Sequence, residues 1–185
     1  MGAGKSTALA VLGRLGAATL STDAVVHDLY ESDEVRGAVV SRWGREVAPD
    51  GAVDRSVVAA RAFADPEQRA WLEGLLWPRV GARVAAWREE ETHREPLPRA
   101  LVVETPLLFE AGLEAMYDAT IAVVAPEALR TERASARGHA VLDERHARQL
   151  SQEEKAQRAT FVVVNDGTPE ELEARLSAIL AKLHS

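Results

Sequence analysis

GAGKST, residues 2–7, carries the strongest structural signal in the chain. Its glycines allow backbone N–H groups to turn inward around an anion, because no Cβ stands in the way. Lys5 can place a point charge on the phosphates of a nucleotide, and the hydroxyl of Ser6 can ligate Mg²⁺. An amphipathic stretch follows at once, so a helix N-terminus adds its dipole to the same pocket. The segment matches the second half of a P-loop motif, GxxxxGK[ST]; the alternative is a glycine-rich helix start with a chance lysine.

Beyond this loop the chain alternates helical stretches with short apolar runs. Residues 17–20 form a first run, and residues 100–103, 120–124 and 161–164 form three more. The last three are rich in β-branched residues and do not alternate with polar ones, which is typical of strands buried on both faces. Strands that alternate with helices predict an α/β fold, a parallel sheet with helices on both sides.

A complete P-loop motif starts with a further glycine and follows a strand, and neither stands before residue 1 here. We expect either a truncated chain or a start codon assigned too far downstream. A sheet without that strand, which is normally a central one, is expected to be less stable.

Residues 31–97 are more polar and predict an all-helical insertion between two parts of a core, residues 1–30 and 98–185. Within the insertion, Asp65 and Pro66 suit the N-cap and the first position of a helix. Pro78 is expected to kink or break this helix, because proline lacks the backbone N–H and clashes with the preceding turn.

The composition of 185 residues, 46% hydrophobic and 28% charged, fits one compact domain with a small insertion. No apolar run approaches the roughly 20 residues that span a bilayer, and no signal-peptide pattern opens the chain. Without cysteine there is no disulfide and no thiol nucleophile. The net charge of -7 argues against non-specific nucleic-acid binding. We expect a cytoplasmic protein with no membrane or nucleic-acid partner, as a monomer or weak oligomer.

All but three of the 22 basic residues are arginine, a bias that a GC-rich coding sequence produces. An arginine at a given position therefore says less about function than a lysine does. Besides Lys5 the lysines are Lys155 and Lys182. Lys155 follows a capping pattern, with Ser151 at the N-cap and Glu154 at N3, so ordinary helix capping is the alternative explanation for its segment.

Two carboxylates follow predicted strands, at the sheet edge where open parallel sheets bind ligands. Asp23 could orient an acceptor hydroxyl and accept its proton, as such a residue does in kinases; the alternative is an N-cap of the next helix. Glu104 could hold Mg²⁺ or its waters; the alternative is a solvated strand end.

Residues 106–113, PLLFEAGL, closely resemble the signature of bacterial dephospho-coenzyme A kinases. The phosphate loop, residues 2–7, stands at the matching place. Asp23 stands where the second strand of that family ends in Asp-Ala-Asp, and residues 63–67 resemble the start of a helix in the family's insertion domain.

The second half of the chain agrees as well. Arg133 and Arg137 resemble the lid arginines of the family, and residues 145–155 resemble its next lid segment. Residues 165–167, Asn-Asp-Gly, resemble an Asn-x-Gly turn near the adenine. The resemblance covers essentially the whole chain.

The resemblance implies a P-loop, nucleoside-kinase-like fold with a helical substrate domain at residues 31–97 and a lid at about 130–158. It also implies an ATP- and Mg²⁺-dependent phosphotransferase with an alcohol acceptor. The activity would be phosphorylation of the ribose 3′-hydroxyl of dephospho-coenzyme A, the last step of coenzyme A biosynthesis.

The same resemblance implies the roles of particular residues. Asp23 would be the general base, and Arg133 and Arg137 would close over the transferred phosphoryl group together with Lys5. Ser6 and Glu104 would serve the metal. The residues implied to bind ATP are Gly2, Ala3, Gly4, Lys5, Ser6, Thr7 and Asn165. The residues implied to shape the acceptor pocket are Pro106, Leu107, Leu108 and Glu110.

Two positions depart from the family pattern. Ser21 replaces the first Asp of Asp-Ala-Asp, so any support that the base drew from that carboxylate is lost. Trp77 replaces the usual histidine; it could stack on an adenine, but we expect it to fill the core.

Other functions remain open on the sequence. Another P-loop kinase, acting on a nucleoside, gluconate or shikimate, would not be expected to carry PLLFE at residues 106–110. A regulatory module that binds ATP or GTP without turnover is a second alternative. In its GTPase form it should show an Asn/Thr-Lys-x-Asp segment, and residues 165–167 lack the lysine. An inactive, truncated member of the kinase family is the remaining alternative.

Overall fold

The computed structural model describes residues 2–135 and 149–183. These form two compact units, one made of residues 1–19 and 94–185 and the other of residues 20–93. The division falls within the first strand. In the described part of the chain, no helix is both long enough and apolar enough to cross a membrane.

The first unit is α/β. Its helices are α1 (Lys5–Arg14), α6 (Glu127–Ser135), α7 (Gln152–Arg158) and α8 (Pro169–Leu183). The strands are β1 (Ala18–Ser21), β2 (Leu101–Glu104), β3 (Ile121–Val124) and β4 (Phe161–Val164). The predicted strands are confirmed to within one or two residues.

The strands form two pairs, β1 with β2 and β3 with β4. β3 and β4 are parallel, in a register that runs from Ile121 opposite Phe161 to Val124 opposite Val164. One hydrophobic core lies where both pairs meet α1 and α8. Its buried residues are Ala8, Val11, Leu12, Val163, Leu172, Leu176, Ile179 and Leu180.

The prediction that the last three strands are buried on both faces is wrong for β4. Val163 is buried in the core, but Val162 and Val164 are 45% and 40% exposed. α8 packs against β4, and Val163 joins the core that α1 and α8 cover, whereas the side chains on either side of it point the opposite way. An unbroken apolar run therefore does not distinguish one covered face from two.

The end of the first unit follows its local sequence. Thr168 caps α8, since its hydroxyl accepts from the backbone N–H of Glu171 at 3.3 Å while the Glu171 carboxylate accepts from the N–H of Thr168 at 3.0 Å. This reciprocal arrangement is a capping box.

Apart from the last two residues of β1, the described elements of the second unit are helical. Its helices are α2 (Thr22–Glu31), α3 (Asp33–Trp43), α4 (Arg55–Ala64) and α5 (Pro66–Thr92), with a short 3₁₀ turn at Arg45–Val47. The unit begins at residue 20, whereas the helical insertion is predicted from residue 31. Its core is formed by Val25, Leu29, Tyr30, Val35, Val39, Val47, Val58 and Leu76.

Side-chain caps start three of these helices. Ser32 accepts from the N–H of Val35, Asp54 from those of Ser56 and Val57, and Asp65 from that of Glu67. The predicted N-cap at Asp65, with Pro66 at the first helical position, is confirmed.

The expectation that Pro78 breaks α5 is wrong, because the helix continues through Pro78 to Thr92. Next to this proline, the Arg79 guanidinium donates to the carbonyl of Leu75 at 2.6 Å and also pairs with Glu34. Trp77 is 55% exposed and does not fill the core. The inward stripe is taken by Leu72, Leu75, Leu76 and Val80, and Trp77 lies off that stripe.

Candidate active site

The phosphate loop adopts the shape that its glycines permit. Gly2 and Gly4 have φ values of 78° and 93°, in the left-handed region that residues with a Cβ rarely adopt. α1 begins at Lys5, and the N-cap residue Gly4 supplies no side-chain hydrogen bond. The first N–H groups of α1 therefore have no side-chain cap in the loop and are available to an anion.

The loop is also closely packed from behind. A Cβ on Gly2 would lie 2.3 Å from the backbone oxygen of Arg130, and a Cβ on Gly4 would lie 2.1 Å from the side-chain nitrogen of Asn165. Lys5, Ser6 and Thr7 remain exposed on the other side. The loop thus presents its cation and hydroxyls to solvent while its glycines seat against α6 and the end of β4.

Asn165 holds this arrangement together. Asn165 is only 8% exposed, and its side-chain Nδ2 donates to the carbonyl of Ala3 at 2.8 Å. Its own carbonyl accepts from Nη1 of Arg133 at 3.0 Å. The structure therefore brings together three parts of the predicted site: the phosphate loop, the turn after β4 and a lid arginine.

The PLLFE segment forms the turn that follows β2. Leu107 is exposed, whereas Phe109 is buried. Oε1 of Glu110 accepts from Nζ of Lys155 at 2.8 Å, so an ion pair joins this turn to α7. At the end of the turn, the backbone N–H of Glu114 itself and the Arg158 guanidinium hold the pKa of the Glu114 carboxyl below its usual value.

Two predicted catalytic residues lie in other parts of the chain. Asp23 lies exposed in the first turn of α2, in the helical unit. Its alternative reading as an N-cap is wrong, because Ser21 occupies that position. Arg137 lies outside the described residues, as do residues 136–148 of the predicted lid.

Comparison with known proteins shows the family of the chain. A family model for dephospho-CoA kinase matches residues 1–171. The chain belongs to the dephospho-CoA kinase family.

Individual relatives agree with this assignment. The dephospho-CoA kinase of Deinococcus radiodurans is 42% identical over 186 residues, covering 99% of this chain and 88% of its own. That of Anaeromyxobacter dehalogenans is also 42% identical, with 97% and 87% covered. The family resemblance inferred from PLLFE and the phosphate loop is therefore confirmed.

Solved structures show the same fold. TT1252 from Thermus thermophilus is 35% identical and superposes with a TM-score of 0.78, over 99% of this chain and 93% of its own. The dephospho-CoA kinase from Campylobacter jejuni, 23% identical, gives a TM-score of 0.68 over 99% and 92%. The second likeness concerns the fold alone.

The donor set of this dephospho-CoA kinase family member suits a magnesium ion that arrives with a nucleotide. Within residues 2–135 and 149–183, no three His, Asp or Glu side chains are grouped to hold a metal. Mg²⁺ usually takes one or two protein ligands and completes its shell with phosphate oxygens and water. Ser6 offers an exposed hydroxyl in the first turn of α1, and half-buried Glu104 ends β2.

Sequence reasoning missed two contributions. Arg130 lies against Gly2 through its backbone, which no side-chain pattern reveals. The partner of Lys155 was also missed, although the rarity of lysine had marked that residue. PLLFE and Lys155 were each singled out on their own. Their contact was missed because it joins residues more than 40 positions apart along the chain.

Proposed function

We propose that the protein transfers the γ-phosphoryl group of ATP to the ribose 3′-hydroxyl of dephospho-coenzyme A, giving coenzyme A and ADP. The observation that carries this proposal is the phosphate loop, seated by Asn165 and Arg130, in a chain of the dephospho-CoA kinase family. Its partners are these small molecules, and it acts in the cytoplasm without a nucleic-acid or membrane partner.

ATP is held by residues 2–7. The N–H groups at the start of α1 face its phosphates, and Lys5 adds a mobile point charge that neutralises the β- and γ-phosphoryl oxygens. Asn165 holds the loop by its bond to Ala3. Ser6 and Glu104 would hold Mg²⁺ or its waters, and the ion would supply neutralisation of the phosphoryl charge.

Asp23 acts on the acceptor. Its carboxylate accepts the proton of the ribose 3′-hydroxyl as that oxygen forms a bond to the γ-phosphorus, and the bond from the phosphorus to the ADP oxygen breaks. Arg133 and Arg137 stabilise the charge that spreads over the transferred oxygens. The turn at residues 106–110 shapes the acceptor pocket, with exposed Leu107 offered to the ligand.

The test is ADP release from Mg²⁺-ATP, measured with and without dephospho-coenzyme A. Nucleosides, gluconate and shikimate serve as competing acceptors, and Lys5→Ala serves as the inactive control. We expect release that depends on dephospho-coenzyme A and is lost in the control. A folded protein that binds ATP but releases no ADP with any acceptor would overturn the proposal, and release with another acceptor alone would reassign the substrate.

A further inference from the structure

Several side chains bond segment 149–158 to the turn that follows β2, residues 106–114. Oε1 of Glu110 accepts from the backbone N–H of Leu150 at 2.9 Å and from Nζ of Lys155 at 2.8 Å. Three residues further along α7, Arg158 pairs with Glu114 and lies 5.3 Å from the ring centre of Phe109. The turn after β2 is therefore bonded to α7 at several points.

Lys155 joins the two ends of PLLFE. Besides Glu110, the last residue of the segment, its ammonium donates to the carbonyl of Pro106, the first residue, at 3.0 Å. The side chains of Lys155 and Glu110 are 22% and 13% exposed. A lysine suits this place because its compact ammonium has three rotatable donors, whereas the planar fork of arginine reaches two separate acceptors less readily.

α7 itself is fixed independently. The predicted capping box is present, with the Ser151 hydroxyl accepting from the N–H of Glu154 and the Glu154 carboxylate accepting from the N–H of Ser151. Gln152 bonds both the N–H and the carbonyl of Ala125, directly after β3. Lys155 is thus carried by a helix that is anchored to the sheet.

Burial makes the pairing necessary. Lys155 lies in the last turn of α7, and its side chain is mostly shielded from water. The Glu110 carboxylate neutralises this ammonium and also accepts the Leu150 N–H just before the helix. Because each partner is mostly shielded from water, loss of either one leaves the other poorly satisfied.

We propose that Lys155 is a positioning residue for the acceptor, acting through Glu110 and the Pro106 carbonyl. It sets the conformation of residues 106–110, so that exposed Leu107 and the neighbouring backbone meet dephospho-coenzyme A. Glu110 serves the acceptor through this ion pair and not by direct contact. The inference rests on the proposed function, since it concerns the acceptor of that reaction.

The experiment compares Lys155→Met, Glu110→Gln and the double variant. We expect the KM for dephospho-coenzyme A to rise about tenfold in each single variant, with the KM for ATP changed less than about twofold. The double variant should be no worse than the poorer single variant, because both remove the same contact. Lys182→Met, a lysine replaced in the last turn of α8, is the matched control and should leave both KM values unchanged.

A second variant and a stability measurement keep the test sharp. Lys155→Arg keeps the charge and should raise the acceptor KM by a smaller factor, even if Lys155→Met folds poorly. Thermal unfolding of every variant separates a local effect from general loss of structure. Equal rises in both KM values, additive effects in the double variant, or an unchanged acceptor KM would each overturn the inference. A wild-type protein without acceptor-dependent ADP release would instead overturn the proposed function.

Discussion

The side-chain amide of Asn165 donates a hydrogen bond to the carbonyl of Ala3 at 2.8 Å, which joins the end of β4 to the phosphate loop. The same nitrogen occupies the space that a Cβ on Gly4 would need. Asn165 therefore shapes the nucleotide site from behind, through the backbone of the loop.

Asn165→Asp should weaken ATP binding selectively. A carboxylate cannot donate to the Ala3 carbonyl, and it places a negative charge behind a loop that holds phosphates. Leaving a buried acceptor without its donor costs enough to raise the KM for ATP about tenfold or more. Steady-state kinetics with both substrates varied provides the measurement.

The neighbouring Asp166→Asn is the matched control for this substitution. Asp166 pairs with Arg175, and that guanidinium holds the pKa of the Asp166 carboxyl below its usual value. The pair lies on the surface, so the control should leave the KM for ATP unchanged. Equal effects of the two variants would contradict the role assigned to Asn165.

Gly4→Ala should abolish ATP binding. The new methyl group would meet the Asn165 side chain at 2.1 Å, and the φ of 93° is strained for any residue with a Cβ. Gly37→Ala is the matched control, because nothing lies within 4 Å of its new methyl group in α3. That control should stabilise the protein by about 0.5–1 kcal/mol and bind ATP normally. Calorimetric titration with ATP distinguishes the two, and normal binding by Gly4→Ala would refute this account of the loop.

Asp54→Ala should lower the stability of the helical unit at neutral pH, with a melting temperature a few degrees below wild type. The Ser56 hydroxyl, followed by the N–H groups of Val57 and Ser56, lowers the pKa of the Asp54 carboxyl in the folded protein. The carboxylate therefore contributes its stability fully above its unfolded pKa, about 3.9, and loses it as the pH falls through the lower folded value.

Melting curves of Asp54→Ala and wild type between about pH 7 and pH 3 check the sign of this effect. The difference between the two melting temperatures should shrink below about pH 4. Asp50→Ala, at an exposed residue of the preceding turn, is the control and should melt like wild type. A gap for Asp54→Ala that widens on acidification would contradict the assignment.

The features predicted well from sequence are those set by neighbours along the chain. The phosphate loop, residues 2–7, requires its glycines locally, and the capping residues Asp65 and Ser151 each bond to a backbone group two or three residues away. Such contacts are readable because their partners lie within one helical turn.

The features that sequence reasoning missed depend on distant contacts. Nothing near Trp77 indicates that its side of α5 faces solvent. The Glu110–Lys155 pair and the bond from Asn165 to Ala3 join residues far apart in sequence. Only the folded packing decides which of many polar residues become partners.

Asp23 provides the most direct test of the chemistry. Asp23 lies exposed in the first turn of α2 and is not the N-cap of that helix. Its substitution therefore removes no capping hydrogen bond. Asp23→Asn should therefore leave stability and ATP affinity close to wild type. If the carboxylate accepts the proton of the acceptor hydroxyl, turnover should fall about 10²-fold or more.

Asp28→Asn, at an exposed aspartate of the same helix, is the matched control and should keep full turnover. Rapid-quench measurement of the first turnover compares the chemical step in both variants. Near-wild-type turnover by Asp23→Asn would remove Asp23 as the base.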